Sequence, residues 1–238
     1  MILLDNLLSR VRDIPGSIRA WWNLYRMRCY WNDCAKENAR KHIAIHDWES
    51  EEDFHQSGLR DIEKILRGNA ASVAEGSCVL EIGCGIGRLL KPLALERSDL
   101  EIYGVDVSTE MILQGKKRLS DFPNVSLSQV NGKDLALFGN DFFDLIFSYV
   151  TFQHIPRRYL QDLFKEVYRV FKKGGIFTFQ MQSLENNTRE EPPENDFRTI
   201  RFYTPAMLEN MCTHYGFKVL EIVVPPQKEG YTYVTVTK

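Results

Sequence analysis

The segment Val79-Leu80-Glu81-Ile82-Gly83-Cys84-Gly85-Ile86-Gly87-Arg88 constrains this chain more than any other. An apolar run ends in glycine at every second position, so a strand must turn sharply there and leave backbone without Cβ atoms open to a ligand. A dinucleotide fingerprint, G-x-G-x-x-G, would put its third glycine at Arg88. Here that glycine is Gly87, which argues against a nicotinamide oxidoreductase. A bare glycine triplet is equally compatible with an ordinary tight turn. Asp106 adds a second mark, because it closes the next strand 23 positions after Gly83 (106 − 83). There a carboxylate can accept hydrogen bonds from both hydroxyls of an adenosine ribose. Its structural alternative is an N-cap for the helix near Thr109, a role that Ser108 can fill.

From Cys78 onward short apolar runs alternate with helical patterns, the signature of a sheet built from crossover units. Strands are expected at 78–82, 101–105, 125–130, 145–149, 176–181, 219–224 and 231–236, and helices at 87–96, 109–119, 157–171 and 205–215. Ser108 and Thr204-Pro205 open helices, and Gly174 and Gly216 follow helix ends. The connection 225–230 is too short for a crossover, so the last strand is expected to pair antiparallel. Ser50-Glu51-Glu52-Asp53 reads as a capping box opening a helix that stops at Gly68. Residues 1–47 have a helical pattern broken at Pro15-Gly16. The organisation is therefore a helical extension over 1–70 and an α/β domain over 71–238.

Four motifs in order make residues 76–238 resemble the class I S-adenosylmethionine-dependent methyltransferases, whose fold is Rossmann-like. They are Leu80 to Gly87, Gly104-Val105-Asp106-Val107-Ser108, Phe143-Asp144-Leu145-Ile146-Phe147-Ser148, and Arg169-Val170-Phe171-Lys172-Lys173-Gly174-Gly175. The resemblance implies a doubly wound, seven-stranded, mostly parallel sheet with the last strand antiparallel, and S-adenosyl-L-methionine as cofactor. It puts Glu81, Gly83 and Gly85 against the methionine part of the cofactor, Asp106 at the ribose and Val107 beside the adenine. Cys84, Gly87, Arg88, Gly132 and Ser148 complete the implied cofactor-binding set. Asn131 stands where many relatives carry an acid that reads the adenine amino group; its amide oxygen can accept the same hydrogen bond without charge. Lys172-Lys173 replaces the more usual Lys-Pro.

Ser148-Tyr149-Val150-Thr151 stands where enzymes of this fold acting on nucleobase nitrogens or glutamine amides carry Asp/Asn-Pro-Pro-Tyr, which argues against that chemistry. The paired acids of the metal-dependent catechol type and the Asp-rich motif of aminopropyl transferases are also missing from the sequence, so no metal is expected. His154, in Gln153-His154-Ile155-Pro156, follows the fourth strand at the ligand-binding end of the sheet. It reads as a general base on an acceptor hydroxyl, with an acid limb in the rate near pH 6 to 7, or as a packing residue or helix cap. Glu185 or Glu190, in the polar stretch 182–198 that reads as a lid, are candidates to orient it. Arg201, Tyr203 and Thr204 read as lid elements, Arg201 equally as a surface charge. His42, His46, His55 and His214 read as surface or packing residues.

The function expected is methyl transfer to a small-molecule nucleophile, oxygen in the first place. Lys+Arg 30 against Asp+Glu 32 leaves a net charge of -2, which argues against nucleic acid as partner. Five scattered cysteines without C-x-x-C spacing read as reduced thiols in a cytoplasmic protein. The first 30 residues hold Arg10, Arg12, Arg19, Arg26 and Arg28 beside Trp21-Trp22, which suits a membrane surface or a protein partner. The reading preferred over that one is that these helices pack over the carboxyl end of the sheet and cover the active site.

Overall fold

A computed structural model describes residues 16–43, 50–66, 73–183, 192–193, 196–197, 199–225 and 230–238. Expectations for Arg10, Arg12, His46, Gly68, Glu185 and Glu190, and for most of the 225–230 connection, lie outside the described residues. In chain order the elements are α1 (Gly16–Ile43), α2 (Glu51–Leu66), β1 (Cys78–Ile82), α3 (Leu90–Glu96), β2 (Glu101–Asp106), α4 (Thr109–Arg118) and β3 (Val125–Gln129). After these come β4 (Phe143–Ser148), a single 3-10 turn (Phe152–His154), α5 (Arg157–Val170), β5 (Phe171–Ser183), β6 (Phe202–Tyr203), α6 (Pro205–His214), β7 (Lys218–Val223) and β8 (Tyr231–Thr237).

The sheet runs β3-β2-β1-β4-β5-β8-β7, with the two-residue β6 paired parallel to the end of β5. Pairings from β3 through β5 are parallel. β8 runs antiparallel to both neighbours, β5 and β7. That follows from the short connection after β7, because a parallel return needs a crossover of a dozen residues or more. Both sheet faces are covered, so the central strands are apolar on both sides rather than alternating. Val79, Leu145 and Phe147 pack with Ile62 and Ile65 of α2 and Leu90 and Leu93 of α3. Leu80, Ile146 and Phe177 face Leu163, Phe164 and Val167 of α5 and Leu208 of α6.

Several boundaries move. The helix expected from Gly87 begins at Leu90, because Gly87 adopts φ +76° and belongs to the turn. β5 starts directly where α5 ends and keeps Gly174, with φ +78°, inside it. β6 has no counterpart in the sequence reading, since two residues carry no period. The Ser108 and Thr204 caps form, accepting from the Met111 and Met207 N–H groups. At α2 the Asp53 N–H donates to Ser50 Oγ at 3.0 Å.

The long helix α1 leans on the carboxyl-end side of the sheet. Asn32 Oδ1 accepts from Ser108 Oγ at 2.8 Å and from the Glu110 N–H at 3.1 Å. Gln114 Nε2 donates to Ala35 O at 3.1 Å, and the Tyr159 hydroxyl donates to Ala20 O at 3.1 Å. Near its end α1 breaks at Asn38 (φ -167°, ψ 96°), where the amide oxygen of that residue accepts from the Lys41 N–H at 3.2 Å. The break turns Ile43 onto the glycine loop, its Cδ1 2.8 Å from where a Cβ on Gly85 would sit.

Candidate active site

The glycine loop is fastened to the end of β2. The Gly83 and Cys84 N–H groups both donate to Val105 O, at 2.8 and 3.0 Å. The Gly85 N–H donates to Asp106 Oδ2 at 3.0 Å, while Asp106 Oδ1 accepts from the Ser108 N–H at 2.8 Å. One carboxylate thus braces both the loop and the start of α4. Burial pushes the Asp106 carboxyl up, and the N–H groups of Ser108, Gly85 and Val107 hold it back. Gly83 has φ +80°, and a Cβ there would stand 2.2 Å from the Thr151 side chain. Gly83→Ala is therefore expected to lower stability by about 1–3 kcal/mol through strain and forced displacement of Thr151. Thermal denaturation checks this.

Above the loop lies a cleft of about 970 Å³, open to solvent on one side, whose walls include Glu81, Gly83, Cys84, Gly85, Arg88, Asp106, Val107, Gly132 and His154. Glu81 is buried and its Oε2 has no hydrogen-bond partner. Desolvation pushes its carboxyl up to about 8; the Arg88 charge opposes the shift and Asp106 adds to it. Arg88 itself is anchored elsewhere: its Nη1 donates to Asp61 Oδ2 at 2.6 Å and to Ser57 Oγ at 3.2 Å, so α2 holds it. The Cys84 thiol is pushed well up by burial, which keeps it protonated and unreactive.

Three residues of the expected set stand outside the cleft walls. Gly87 backs onto Leu119 rather than the cleft. Ser148 spends its hydroxyl on Ile82 O at 2.8 Å, tying β4 to β1. The amide oxygen of Asn131 accepts from the Lys133 and Asp134 N–H groups, at 2.9 and 3.1 Å, and its Nδ2 donates to Asp134 Oδ2 at 2.5 Å. Asn131 therefore organises the loop from outside, and the carboxylate that reaches the cleft is Asp134. Arg169 and Glu166 steady that loop: Arg169 Nη2 donates to Leu135 O at 3.1 Å, and Glu166 Oε2 accepts from the Leu135 N–H at 3.0 Å.

His154 lines the cleft, edge-on to Trp31 with ring centroids 5.4 Å apart. Its Nδ1 is buried and has no hydrogen-bond partner. Burial, reinforced by the Arg201 charge, brings its pKa down to about 4. Arg201 is fully buried, which corrects its reading as a surface charge. It donates to the carbonyls of Pro193 (2.9 Å), Asp196 (2.8 Å) and His154 (3.3 Å). Ahead of this turn Val150 has φ 54°, an outlier for a β-branched residue, and its N–H donates to Gln180 Oε1 at 2.8 Å. An acid limb carried by His154 would accordingly fall near pH 4 rather than 6 to 7. In a nitrogen-15 NMR titration the His154 ring is expected to stay neutral until the pH approaches that value. Because the folded pKa lies below the unfolded value of about 6.5, His154 contributes stability above pH 6.5 that is lost as pH falls toward 4. A ring that titrates near 6.5 would contradict both statements.

The pattern described as "Methyltransferase domain" matches residues 79–175. Over 143 residues the chain is 31% identical to an uncharacterized methyltransferase of Synechocystis, an alignment that covers 60% of this chain and 60% of that protein. Over 197 residues it is 25% identical to a carboxy-S-adenosyl-L-methionine synthase of Campylobacter lari, covering 71% of this chain and 80% of the relative. Among solved structures, magnesium protoporphyrin IX methyltransferase from Synechocystis, with bound S-adenosylhomocysteine, superposes with a TM-score of 0.65 at 15% identity, covering 90% of this chain and 99% of that one. Residues 79–175 thus match a methyltransferase domain, on a chain that shares its fold with S-adenosylmethionine-dependent methyltransferases.

The cleft also has walls that no motif marks. Met27, Trp31, His42 and Ile43 come from α1, and Tyr149, Val150 and Thr151 follow β4. His42, expected at the surface or in packing, faces the cleft, 3.4 Å from Glu37. No motif marks the α1 residues, and the signal that could have found them is the buried side of the helix, Asn23, Met27, Cys34, Ala35 and Ala39. Among the described residues no group of three or more His, Cys, Asp or Glu is placed to hold a metal, and the five cysteines are unpaired.

Proposed function

We propose that this methyltransferase moves the methyl group of S-adenosylmethionine to a small-molecule acceptor, at an oxygen. The observation that carries the reading is Glu81. A buried carboxylate oxygen with no partner, in the wall of a cleft beside a glycine loop, calls for a cationic ligand group. The rest of the wall suits the same cofactor. Asp106 offers acceptors at the end of β2 for ribose hydroxyls, Val107, Val130 and Leu135 supply apolar surface for a flat base, and Asp134 supplies an acceptor for an amino group.

When bound, the cofactor supplies a methyl carbon already made electrophilic by its sulfonium, so the protein has chiefly to align, to exclude water and to take a proton. Trp31, Met27 and Ile43 of α1 close one side of the cleft. His154 is neutral at physiological pH, and its Nδ1 has capacity to spare for an acceptor hydroxyl. A base of pKa about 4 holds that hydroxyl by hydrogen bond and takes the proton only as the oxygen gives up its electron pair to the methyl carbon. The surrounding apolar walls suit a small organic acceptor more than a polymer.

The test uses S-adenosylmethionine labelled in the methyl group with cell extract separated into low-mass, protein and nucleic-acid fractions. Label is expected in the low-mass fraction, in a bond stable to base as an ether is. Label in protein or nucleic acid would overturn the small-molecule part of the reading, and a labelled methyl found by mass spectrometry on nitrogen, carbon or sulfur would overturn the oxygen part.

A further inference from the structure

Helix α1 has two working faces. Asn23, Met27, Cys34, Ala35 and Ala39 point inward. On the other side Ile18, Trp22, Tyr25 and Cys29, spaced four, three and four residues apart, form one stripe. Ile18 is 50% and Trp21 62% exposed. Trp21 and Trp22 both stack on Tyr25, with centroids at 5.7 and 5.5 Å, and the Arg28 guanidinium lies 5.4 Å over the same ring. Arg19 flanks the stripe on one side and Arg28 on the other, and no acidic residue occurs in the sequence between Gly16 and Asn32.

We propose that this aromatic and basic face of α1 docks on an anionic lipid surface. Indole and phenol rings settle at the boundary between hydrocarbon and headgroup. Flanking arginines lay their stems along the apolar stripe and carry their charge to lipid phosphates. The run of arginines without a single acid is the charge complement of such a surface. A protein partner would be expected to meet a face with both signs of charge. Cleft lining and membrane contact are therefore not competing roles for the N-terminal segment, because they use opposite sides of one helix. Docking sets a wall of the cleft about 10 Å, one helix diameter, from the bilayer.

Co-sedimentation of the full chain with vesicles tests the proposal. The protein is expected to pellet with mixed phosphatidylcholine and phosphatidylserine vesicles, to stay in solution with phosphatidylcholine alone, and to be released by added salt. Arg19→Glu combined with Arg28→Glu is expected to weaken partitioning at least about tenfold, since each arginine near an anionic surface contributes about fivefold. Trp21→Ser should weaken it by a smaller factor. Both variants should bind S-adenosylhomocysteine with the parent's affinity, which separates lost docking from lost folding. A parent that does not pellet, or a double variant that pellets as well as the parent, overturns the proposal. So does a parent that instead self-associates through Trp21, seen as a sedimentation-velocity shift abolished by Trp21→Ser in the absence of vesicle binding. Because the vesicle assay needs neither cofactor nor acceptor, its failure would leave the methyl-transfer reading untouched.

Discussion

Glu81→Gln is expected to abolish the pH dependence of S-adenosylhomocysteine binding near neutrality. In the resting protein burial holds the Glu81 carboxyl near 8, so most molecules carry it protonated at pH 7. A ligand ammonium favours the carboxylate, and binding should therefore release a proton. Affinity is expected to rise by up to about tenfold per pH unit below about 8 and then to level off. Calorimetry in two buffers of different ionisation enthalpy reads the released proton directly, and the glutamine variant should release none. The same shift acts on stability with the opposite sense from an ordinary salt-bridged acid. The folded pKa lies above the unfolded one, so this contribution is fully present below about pH 4.5 and is lost as pH rises through 8. The loss is on the order of 3–5 kcal/mol, and the apo Glu81→Gln protein should be spared it. Identical pH profiles for the two proteins would remove Glu81 from the binding site.

Asp106→Ala is expected to impair both ligand binding and the apo fold. From the sequence this carboxylate is expected at the ribose, in preference to a cap for the helix near Thr109, which predicts weaker binding with little change in melting temperature. The structure corrects the second part, because Asp106 already accepts from the Gly85 and Ser108 N–H groups. Truncation leaves two backbone donors without their partner. With the desolvation of the carboxylate relieved at the same time, the net loss of stability should be about 1–3 kcal/mol, or roughly 3–10 °C for a domain of this size. Affinity for S-adenosylhomocysteine should fall by about two orders of magnitude, since charge-assisted bonds to the ribose and the shape of the loop are lost together. Asp106→Asn, which keeps one acceptor oxygen, should recover much of the melting temperature and little of the affinity. Equal affinity in all three proteins would take Asp106 out of the cofactor site.

The parts legible in the sequence are those settled by local chemistry. A strand that runs into alternate glycines must turn at Gly83, an acid at the end of the next strand must lie near that turn, and a short last connection forces β8 to run antiparallel. Each follows from the backbone freedom of glycine, the reach of a crossover or the period of a strand, all of which a single chain carries in consecutive residues. What only the tertiary structure decided involves residues far apart. α1 meets the glycine loop across more than forty residues and brings Met27, Trp31, His42 and Ile43 into the cleft. Asp134 replaces Asn131 at the wall because an Asx turn rotates the loop. Arg201, a lone basic residue after a polar loop, proves fully buried and lowers the His154 pKa together with desolvation. Burial and electrostatics are properties of what surrounds a side chain once the chain has closed on itself. The position of Glu81 and His154 at the ligand end of the sheet could thus be read from sequence, whereas their protonation states could not.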